Sequence, residues 1–318
     1  MVGKLENIVT DMIVRPKVWI ERERIGEKVV RCLTVIIKTS GCRWRSCFMC
    51  SYYRDSYPST DEMLISQINY ALSKKGDSRV LKIFTSGSFF DDREVSSSVR
   101  DYISHLVEKL NFEKLIVESR PEFIEPEKLT VFESINLEVA MGLESASDYI
   151  REKCINKGFT LKDFKNACNI LKSSEFRVRC YLLLKPPFLS EREAIDDIIK
   201  SIDKVRSYVD TFSINLTNVQ RGTLVEKLWK NGLFRPPWLW SALEILKTVE
   251  DDVICDPVAA GKKRGPHNCG KCDFKFANAI KLYSLYKNNS YLNLSCNCYT
   301  KWKKAIELED FTRIPLWS

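Results

Sequence analysis

Short apolar runs alternate with longer amphipathic stretches along most of this 318-residue chain. Six of the runs are rich in β-branched residues and nearly continuous in apolar character, which is typical of strands buried on both faces of a parallel sheet. They are Val29–Lys38, Val80–Thr85, Lys114–Glu118, Asn136–Gly142, Arg177–Leu184 and Thr211–Leu216. Because strand and helix signals alternate about six times, the sequence predicts an α/β fold organised as a partial (β/α)6 barrel.

Three helix-start patterns support this alternation, since each pairs a hydroxyl residue with an acidic residue three positions later. The pairs are Ser59 with Glu62, Thr160 with Asp163 and Ser190 with Glu193. They predict helices that include Met63–Leu72, Phe164–Leu171 and Ala194–Val205.

The strand–helix rhythm stops near residues 250–254, where the chain becomes rich in Cys, Gly and Lys. We therefore expect the partial barrel at 1–250, with an N-terminal extension at 1–28, and a small C-terminal Cys-rich metal-binding domain at 251–318. A chain of this length has room for both domains.

The composition of the chain limits its cellular location and its possible binding partners. No run of 18 apolar residues occurs, and Met1–Val14 lacks the apolar core of a secretory signal, so we expect a cytoplasmic protein without membrane contact. Fifty Lys and Arg against 42 Asp and Glu give a net charge of +8, which permits a polyanionic partner such as RNA. A solvated basic surface explains the same excess equally well.

Twelve cysteines in a chain without an export signal favour metal ligation over a secreted disulfide framework. Eight of them lie in or beside two groups. The other four are predicted to be small buried apolar residues, and they are Cys32, Cys154, Cys168 and Cys180.

The first group has the spacing Cys-x4-Cys-x2-Cys and follows the first predicted barrel strand. Its members are Cys42, Cys47 and Cys50. Three thiolates can bind one face of a cubane iron–sulfur cluster and leave one iron open for chemistry. The alternatives are a zinc knuckle with a distant fourth ligand and a half-formed disulfide set. The loop after a barrel strand is where such folds place chemistry, which favours the cluster.

The second group combines Cys-x2-Cys with a later Cys-x-Cys, a pattern that can close a tetrahedral thiolate site. About four ligands are expected from six candidates, which are Cys255, His267, Cys269, Cys272, Cys296 and Cys298. Zinc is the simplest metal for four thiolates without an open position. A second iron–sulfur cluster and disulfides remain alternatives, and His267 is also compatible with an ordinary surface position.

The segment around the first group resembles the radical SAM superfamily. In that superfamily a cysteine triad binds a [4Fe–4S] cluster, whose open iron chelates the amino and carboxylate groups of S-adenosylmethionine (SAM). This chain has one residue more than the commonest spacing between Cys42 and Cys47. It also carries Met49 where an aromatic residue is usual.

Further strand ends resemble the same superfamily in order. Phe84–Asp91 resembles the turn that contacts the SAM amino group, Glu118–Pro121 resembles a segment of the Elongator-subunit-like and methylthiotransferase-like branches, and Gly142–Ser145 resembles a segment near the SAM ribose. Ile155–Gly158 follows as in those branches. The resemblance implies five cofactor-binding residues, which are Gly87, Ser88, Glu118, Arg120 and Glu144. Arg120 is expected to pair with the SAM carboxylate.

Nearly the full length is similar to the archaeosine-forming radical SAM enzymes of archaeal tRNA modification, including the tail segment His267–Cys272. The resemblance implies a substrate tRNA that carries a lysine adduct of 7-cyano-7-deazaguanine at position 15. A 5′-deoxyadenosyl radical leads to cleavage of the adduct's C–N bond, which leaves archaeosine. The implied partners are the tRNA, a lysine-transferring archaeosine synthase partner protein and an external electron donor.

Two other functions are compatible with the sequence. One is a radical SAM enzyme that acts on a small molecule or peptide and carries an auxiliary iron–sulfur cluster in its tail. The other is a zinc-stabilised RNA-binding or scaffold protein without catalysis. Basic segments at 262–264 and 301–304, the latter with Trp302, are candidates for phosphate contact and base stacking. The candidates for contact with the substrate at late strand ends are Arg179, Lys185, Asn215 and Asn218.

Overall fold

The computed structural model describes residues 14–312. Its strands are β1 (Lys17–Ile25), β2 (Lys28–Ile36), β3 (Val80–Phe84), β4 (Lys114–Ser119), β5 (Leu137–Glu144), β6 (Arg177–Leu184), β7 (Thr211–Leu216) and β8 (Val253–Asp256). Its α-helices are α1 (Asp61–Leu72), α2 (Ser97–Lys109), α3 (Pro126–Leu129), α4 (Leu161–Ser173), α5 (Glu191–Val205), α6 (Leu224–Lys230), α7 (Leu239–Thr248), α8 (Asp273–Tyr286) and α9 (Tyr299–Leu308). The first thirteen residues of the predicted extension at 1–28 lie outside the described residues.

The fold is α/β, and the eight strands within residues 14–312 follow one another in the sheet in the same order as in the chain. All six predicted strands are present. β1 pairs antiparallel with β2, whereas β2 with β3, β3 with β4, β6 with β7 and β7 with β8 pair in parallel. β1 was not predicted because four consecutive charged residues, Glu21 to Arg24, interrupt its apolar pattern. β8 was missed because it has only four residues.

The chain divides into two compact units. The first contains residues 1–43 and 52–138. Its core includes buried side chains of β2, β3 and β4 together with α1 and α2. Phe89, Phe90 and Phe132 are fully buried in it, with ring centroids 5.3–6.1 Å apart.

Helix α1 in this unit starts one residue later than the sequence pattern indicates. The side chain of Thr60, not that of Ser59, accepts a hydrogen bond from the Met63 N–H and caps the helix. The Ser59 hydroxyl instead donates to the carbonyl oxygen of Lys38, at 2.7 Å. The predicted Ser59–Glu62 capping box is therefore wrong, although the helix itself is present.

The second unit contains residues 44–51 and 139–318. Both capping boxes predicted here are formed: Thr160 with Asp163 begins α4, and Ser190 with Glu193 begins α5. Each box satisfies two backbone N–H groups that would otherwise lack partners at the helix start. These helices bury one apolar face each, as an amphipathic helix does against a sheet.

The Cys-rich tail shares secondary structure with the rest of this unit. β8 lies beyond residue 250, yet it pairs in parallel with β7, for example Ile214 opposite Cys255. The division at residue 250 into a barrel and a tail domain stays a prediction. Within residues 14–312, none of the helices combines the length and the hydropathy that crossing a bilayer requires.

Candidate active site and candidate metal centre

In the first unit, the backbone of Cys42 packs directly against Gly87. An ideal Cβ on Gly87 would lie 2.5 Å from the Cα of Cys42 and 2.8 Å from its nitrogen, far inside van der Waals contact. Any side chain at position 87 would therefore displace the first cysteine. The family likeness implies that Gly87 contacts SAM. The structure gives a second role for this glycine, which is to leave space for the backbone of Cys42.

Arg43, the residue after Cys42, fixes the start of the cysteine loop. Its guanidinium binds both carboxylate oxygens of Asp91, with Nε donating to Oδ2 at 3.0 Å. The guanidinium also lies 5.0 Å from the ring centroid of Phe123. Asp91 is 1% exposed, so this two-point ion pair is substantially shielded from water on the acidic side. The sequence carries no local signal for this pair, because its members are 48 residues apart.

Four predicted cofactor-binding residues meet in the same unit. The Ser88 hydroxyl accepts a hydrogen bond from the Arg120 N–H at 3.1 Å, and the Phe89 N–H donates to the Glu118 carbonyl at 2.8 Å. The turn after β3, which contains Gly87 and Ser88, is thus bonded to the end of β4. The Arg120 guanidinium is buried and donates from Nε to Glu122 at 2.5 Å.

A buried carboxylate, Glu94, braces this turn. It is 3% exposed and accepts hydrogen bonds from the Thr39 hydroxyl at 2.6 Å and the Ser88 N–H at 2.6 Å. Burial raises the pKa of Glu94 to about 7, although both hydrogen bonds oppose the rise. Glu94 gave no sequence signal, because it stands in an ordinary polar segment.

In the second unit, the loop that carries Cys47 and Cys50 rests on residues 155–158. The Trp44 indole N–H donates to the Asn156 carbonyl at 2.6 Å, and the Asn156 side-chain amide donates to the Ser46 carbonyl at 2.9 Å. An ideal Cβ on Gly158 would lie 2.4 Å from the Trp44 ring. Asn156 and Gly158 both have positive φ angles, 57° and 79°. The segment recognised only by family likeness is therefore the platform for this loop.

Further bonds hold both ends of the same loop. The Phe48 N–H donates to the Ile155 carbonyl at 2.9 Å, and the Phe48 carbonyl accepts from the Val225 N–H at 3.3 Å. Beyond Cys50, the Ser51 N–H donates to the side-chain carbonyl of Gln220 at 2.6 Å. The two cysteines consequently stand on a short segment whose backbone is anchored before, between and after them.

Glu144, the last residue of β5, is buried and ion-paired. Its Oε1 lies 2.7 Å from the Lys157 ammonium nitrogen. Its φ is +67°, which is unusual for a residue with a side chain and costs about 1 kcal/mol or more. Lys157 follows Asn156, so one segment contacts both the cysteine loop and the carboxylate that the resemblance places near the SAM ribose.

Four cysteines of the tail converge in the second unit. The sulfurs of Cys269, Cys272, Cys296 and Cys298 all lie within 4.8 Å of one another. The Sγ–Sγ distances are 3.7 Å for Cys269–Cys272, 3.9 Å for Cys269–Cys296 and 3.7 Å for Cys272–Cys298. Tetrahedral zinc with Zn–S bonds of about 2.3 Å sets its sulfurs about 3.8 Å apart, so this group has the dimensions of a closed metal site with four thiolate ligands.

Outer donors orient two of these sulfurs. The Trp240 indole N–H donates to Cys298 Sγ at 3.3 Å, and the Asn268 amide donates to Cys272 Sγ at 3.5 Å. Such hydrogen bonds stabilise the thiolate form that binds a metal. Burial opposes the same form at Cys269, but the N–H groups of Lys271 and Cys272 outweigh it and lower the pKa of the Cys269 thiol to about 7.

The two other tail candidates lie outside this group. Cys255 is buried in β8, where its N–H donates to the Ser284 hydroxyl and burial raises the pKa of its thiol well above the usual range. His267 pairs its Nδ1 with the carbonyl oxygen of Gly265, at 2.8 Å. None of the twelve cysteines, all of which lie within residues 14–312, forms a disulfide, and the four scattered ones are buried, as predicted.

Two further expectations are corrected by burial. Trp302 was a candidate for base stacking, but it is 1% exposed, donates to the Ser241 hydroxyl and stacks on Trp240. Lys185 was a candidate for substrate contact, but its ammonium is buried between Glu191 and Glu309 at 2.8 and 2.9 Å. The side chains of both residues therefore make buried contacts in the core of the second unit.

Comparison with protein-family models identifies the class of protein to which the chain belongs. The model of the Radical SAM superfamily matches residues 36–202, more than half of the chain, which therefore belongs to that superfamily of enzymes. Membership implies a [4Fe–4S] cluster and SAM. The solved structure of methylornithine synthase shares the fold, with a TM-score of 0.53 over 87% of this chain and 81% of that chain, at 14% identity.

Within the superfamily, the chain is similar to two archaeal proteins named archaeosine synthase subunit beta. The protein from Methanosarcina acetivorans is 45% identical over 312 residues, which cover 92% of this chain and 90% of the relative. The protein from Thermococcus kodakarensis is 39% identical over 310 residues, which cover 91% of this chain and 96% of the relative.

Proposed function

We propose that this chain is the radical-generating subunit of an archaeosine synthase and acts on tRNA. The observation that carries the proposal is 45% identity to an archaeosine synthase subunit beta over 92% of the chain. The proposed reaction breaks the C–N bond of a lysine adduct of 7-cyano-7-deazaguanine at tRNA position 15. Removal of a hydrogen atom and then an electron from the lysyl carbon next to nitrogen, with SAM as the net oxidant, gives a C=N bond that water hydrolyses. The amidine of archaeosine stays on the tRNA, and the lysine skeleton leaves as an aldehyde.

The proposed ligands of the [4Fe–4S] cluster are Cys42, Cys47 and Cys50. Three thiols suit a cluster with one open iron. The close packing of Cys42 on Gly87 supports the proposal, because it holds the backbone of the first proposed ligand in one position. When bound and reduced, the cluster together with SAM supplies a carbon radical that removes a hydrogen atom from the substrate. The protein contributes binding, orientation and exclusion of water.

We propose that SAM contacts Gly87, Ser88, Glu118, Arg120 and Glu144, the residues that the family likeness implies. The buried Arg120 offers a cation for the SAM carboxylate, and its backbone is tied to Ser88. Glu144 offers a carboxylate for a ribose hydroxyl while Lys157 holds it in place. A pre-positioned carboxylate binds a ligand with little loss of rotamer freedom.

The proposed tail metal is zinc, bound by Cys269, Cys272, Cys296 and Cys298. Sulfur separations of 3.7–3.9 Å support a tetrahedral ion, and four thiolates leave no open position for chemistry. The proposed role of this ion is to fold the tail.

The proposed partners are tRNA, a lysine-transferring archaeosine synthase subunit and an external electron donor. Support for a partner subunit comes from the names of the two archaeal relatives, each of which is a subunit beta. A tRNA-modifying role would place the protein in the cytoplasm.

The test uses anaerobically reconstituted, dithionite-reduced protein with SAM. We would measure 5′-deoxyadenosine with tRNA that carries the lysine adduct at position 15, with the same tRNA lacking the adduct, and without tRNA. The proposal expects the adduct to raise the yield and archaeosine to appear. If SAM is cleaved but the adduct has no effect, the substrate assignment is wrong while the cluster assignment stands.

Metal analysis tests the tail separately. About four irons and one zinc per chain are expected if the tail holds zinc. About eight irons without zinc would overturn the zinc assignment and favour an auxiliary iron–sulfur cluster.

A further inference from the structure

The positive charge of this protein is concentrated in one segment of the second unit. Residues 257–304 contain ten of the chain's 50 Lys and Arg residues but only one of its 42 acidic residues, Asp273. The rest of the chain has 40 basic and 41 acidic residues and is close to neutral. The net charge of +8 therefore originates in this segment. A zinc ion with four thiolates has a charge of about −2, so the segment remains strongly positive with its metal bound.

An aromatic ring projects from the middle of this basic segment. Phe274 belongs to the first turn of α8, two residues after the metal-ligand candidate Cys272. It is 87% exposed, more than any other large apolar side chain among residues 14–312. Phe276 on the same helix is fully buried and contacts Trp240, with ring centroids 4.5 Å apart. Phe276 therefore packs the apolar side of α8 against the core of the second unit, and Phe274 has no part in that packing.

The backbone beneath the ring is fixed by Asp273. Its carboxylate accepts hydrogen bonds from the Asn268 N–H at 2.9 Å and the Gly270 N–H at 3.2 Å. Asp273 is 3% exposed, so these bonds are protected from water. An exposed ring on an anchored helix end loses little freedom when it binds a partner.

Exposed lysines flank the ring. Lys275 directly follows Phe274 in sequence, and Lys271 precedes it by three residues. Lys262 comes near through the fold, because an ideal Cβ on the preceding Gly261 would lie 3.3 Å from the Asp273 Cβ. Arg264 is committed elsewhere, in an ion pair with Glu226 at 2.5 Å.

We propose that Phe274, Lys262, Lys271 and Lys275 form an RNA-binding surface, in which the ring stacks on an unpaired base of the tRNA and the lysines contact phosphates. Aromatic stacking on unpaired bases together with basic contacts to the backbone is the usual mode of single-stranded RNA recognition. A protein partner fits less well, because protein interfaces are depleted in lysine around their apolar centres. The inference rests on the proposed function and names residues that would hold its substrate.

The test measures binding of full-length, metal-loaded protein to a fluorescein-labelled archaeal tRNA transcript by fluorescence anisotropy. Phe274→Ala should weaken binding about tenfold, and Phe274→Leu should weaken it similarly, since leucine keeps apolar area but has no π face. Phe274→Trp should retain the affinity. The matched control is Phe311→Ala, which removes another phenylalanine ring, 85% exposed, and should change the affinity less than about twofold.

The lysines are tested by the salt dependence of the same binding. Lys262→Ala, Lys271→Ala or Lys275→Ala should each reduce the slope of log K against log salt by about one. Lys247→Ala, which removes an exposed lysine from α7, should leave the slope unchanged. Far-UV circular dichroism and tail-metal content confirm that the variants compared are folded alike.

Three results would overturn the inference, and they differ in meaning. Wild-type affinity in Phe274→Ala or in Phe274→Leu would show that the ring does not stack on RNA. Loss of binding to the partner subunit in Phe274→Ala, with tRNA affinity unchanged, would assign the surface to a protein. If the wild-type protein itself fails to bind tRNA, the proposed function is wrong as well.

Discussion

The indole ring of Trp44 lies against the α-carbon of Gly158, so closely that a Cβ on the glycine would be 2.4 Å from the ring. The same indole donates to the carbonyl oxygen of Asn156. One aromatic side chain from the cysteine loop is thus seated on a turn more than one hundred residues away in sequence. This contact explains how two ligand candidates, Cys47 and Cys50, acquire a fixed backbone without any secondary structure of their own.

We predict that Gly158→Ala displaces Trp44 and lowers the iron content of reconstituted protein by about half or more, because the added methyl group would overlap the indole ring that the hydrogen bond to Asn156 holds in place. The matched control is Gly232→Ala. Gly232 has nearly the same φ, +73°, but nothing within 4 Å of an added Cβ, so it carries the backbone strain without the clash. Equal iron contents in the two variants would show that the contact does not support the cluster loop.

Strand β6 and helix α5 were predictable from sequence because their apolar patterns are unambiguous, whereas the comparably long strand β1 was missed because a run of charged residues interrupts its pattern. The cysteine groups were readable because ligand spacing is local. The platform at 155–158 was identified only by family likeness, since its function depends on contacts between distant segments. Trp302 is buried, yet its basic neighbours at 301, 303 and 304 give it the sequence pattern of a nucleic-acid contact.

The two cysteine groups should load metal independently. Cys42→Ala, Cys47→Ala or Cys50→Ala should abolish cluster iron and SAM cleavage but keep the tail metal, because each removes one of the three proposed cluster ligands. Cys296→Ala should have the opposite metal pattern. Cys168→Ala, which removes a buried thiol from α4, should keep both metals. Elemental analysis with 5′-deoxyadenosine assays checks this, and loss of iron from Cys296→Ala would contradict it.

Removal of a metal from the four tail cysteines should change the environment of Trp240 and Trp302. Trp240 donates to Cys298 and stacks on Trp302 with 6.0 Å between ring centroids. Without the ion, four close sulfurs lose their common partner, and the start of α9, which follows Cys298, should loosen. We expect a red shift of tryptophan emission on chelation, reversed by added zinc. An unchanged spectrum after complete metal loss would show that the site is dispensable for packing.

Asp197 should make stability depend on pH. It is buried, one oxygen accepts from the Ser145 hydroxyl at 2.8 Å, and the other has no hydrogen-bond partner among the described residues. Burial raises its pKa to about 6, against an unfolded value near 3.9. Between pH 4 and pH 6 the unfolded chain therefore holds fewer protons at this site than the folded chain, and the free energy of unfolding falls as pH rises, by about 2–3 kcal/mol.

Asp197→Asn mimics the protonated acid and should remove this decline. In urea titrations the variant should match wild type at pH 4 and be more stable by about 2–3 kcal/mol at pH 7. Asp196→Asn alters the exposed neighbour on α5 and serves as the control, whose pH profile should follow wild type. A constant difference between Asp197→Asn and wild type across this range would refute the assignment.

Lys185 and Glu191 form a buried ion pair. Replacing only one of the two residues should lower the free energy of unfolding strongly. Glu191 is fully buried and also accepts hydrogen bonds from the Trp238 N–H at 2.8 Å and the Ser241 hydroxyl at 2.5 Å. Burial opposes the charge on Lys185, but Glu191 and Glu309 outweigh it and raise the pKa of the ammonium. Lys185→Met leaves Glu191 charged and unpaired in the interior, which should lower the free energy of unfolding by about 3–5 kcal/mol.

Glu309→Gln is the matched comparison, because Glu309 is the more exposed carboxylate of the same cluster, 31% against 0% for Glu191. It should cost about 1 kcal/mol or less, since water screens its charge. Urea unfolding of the two variants gives the comparison. If Lys185→Met is no more destabilising than Glu309→Gln, the ammonium does not neutralise Glu191, and the hydrogen bonds from Trp238 and Ser241 alone suffice to hold that carboxylate in the core.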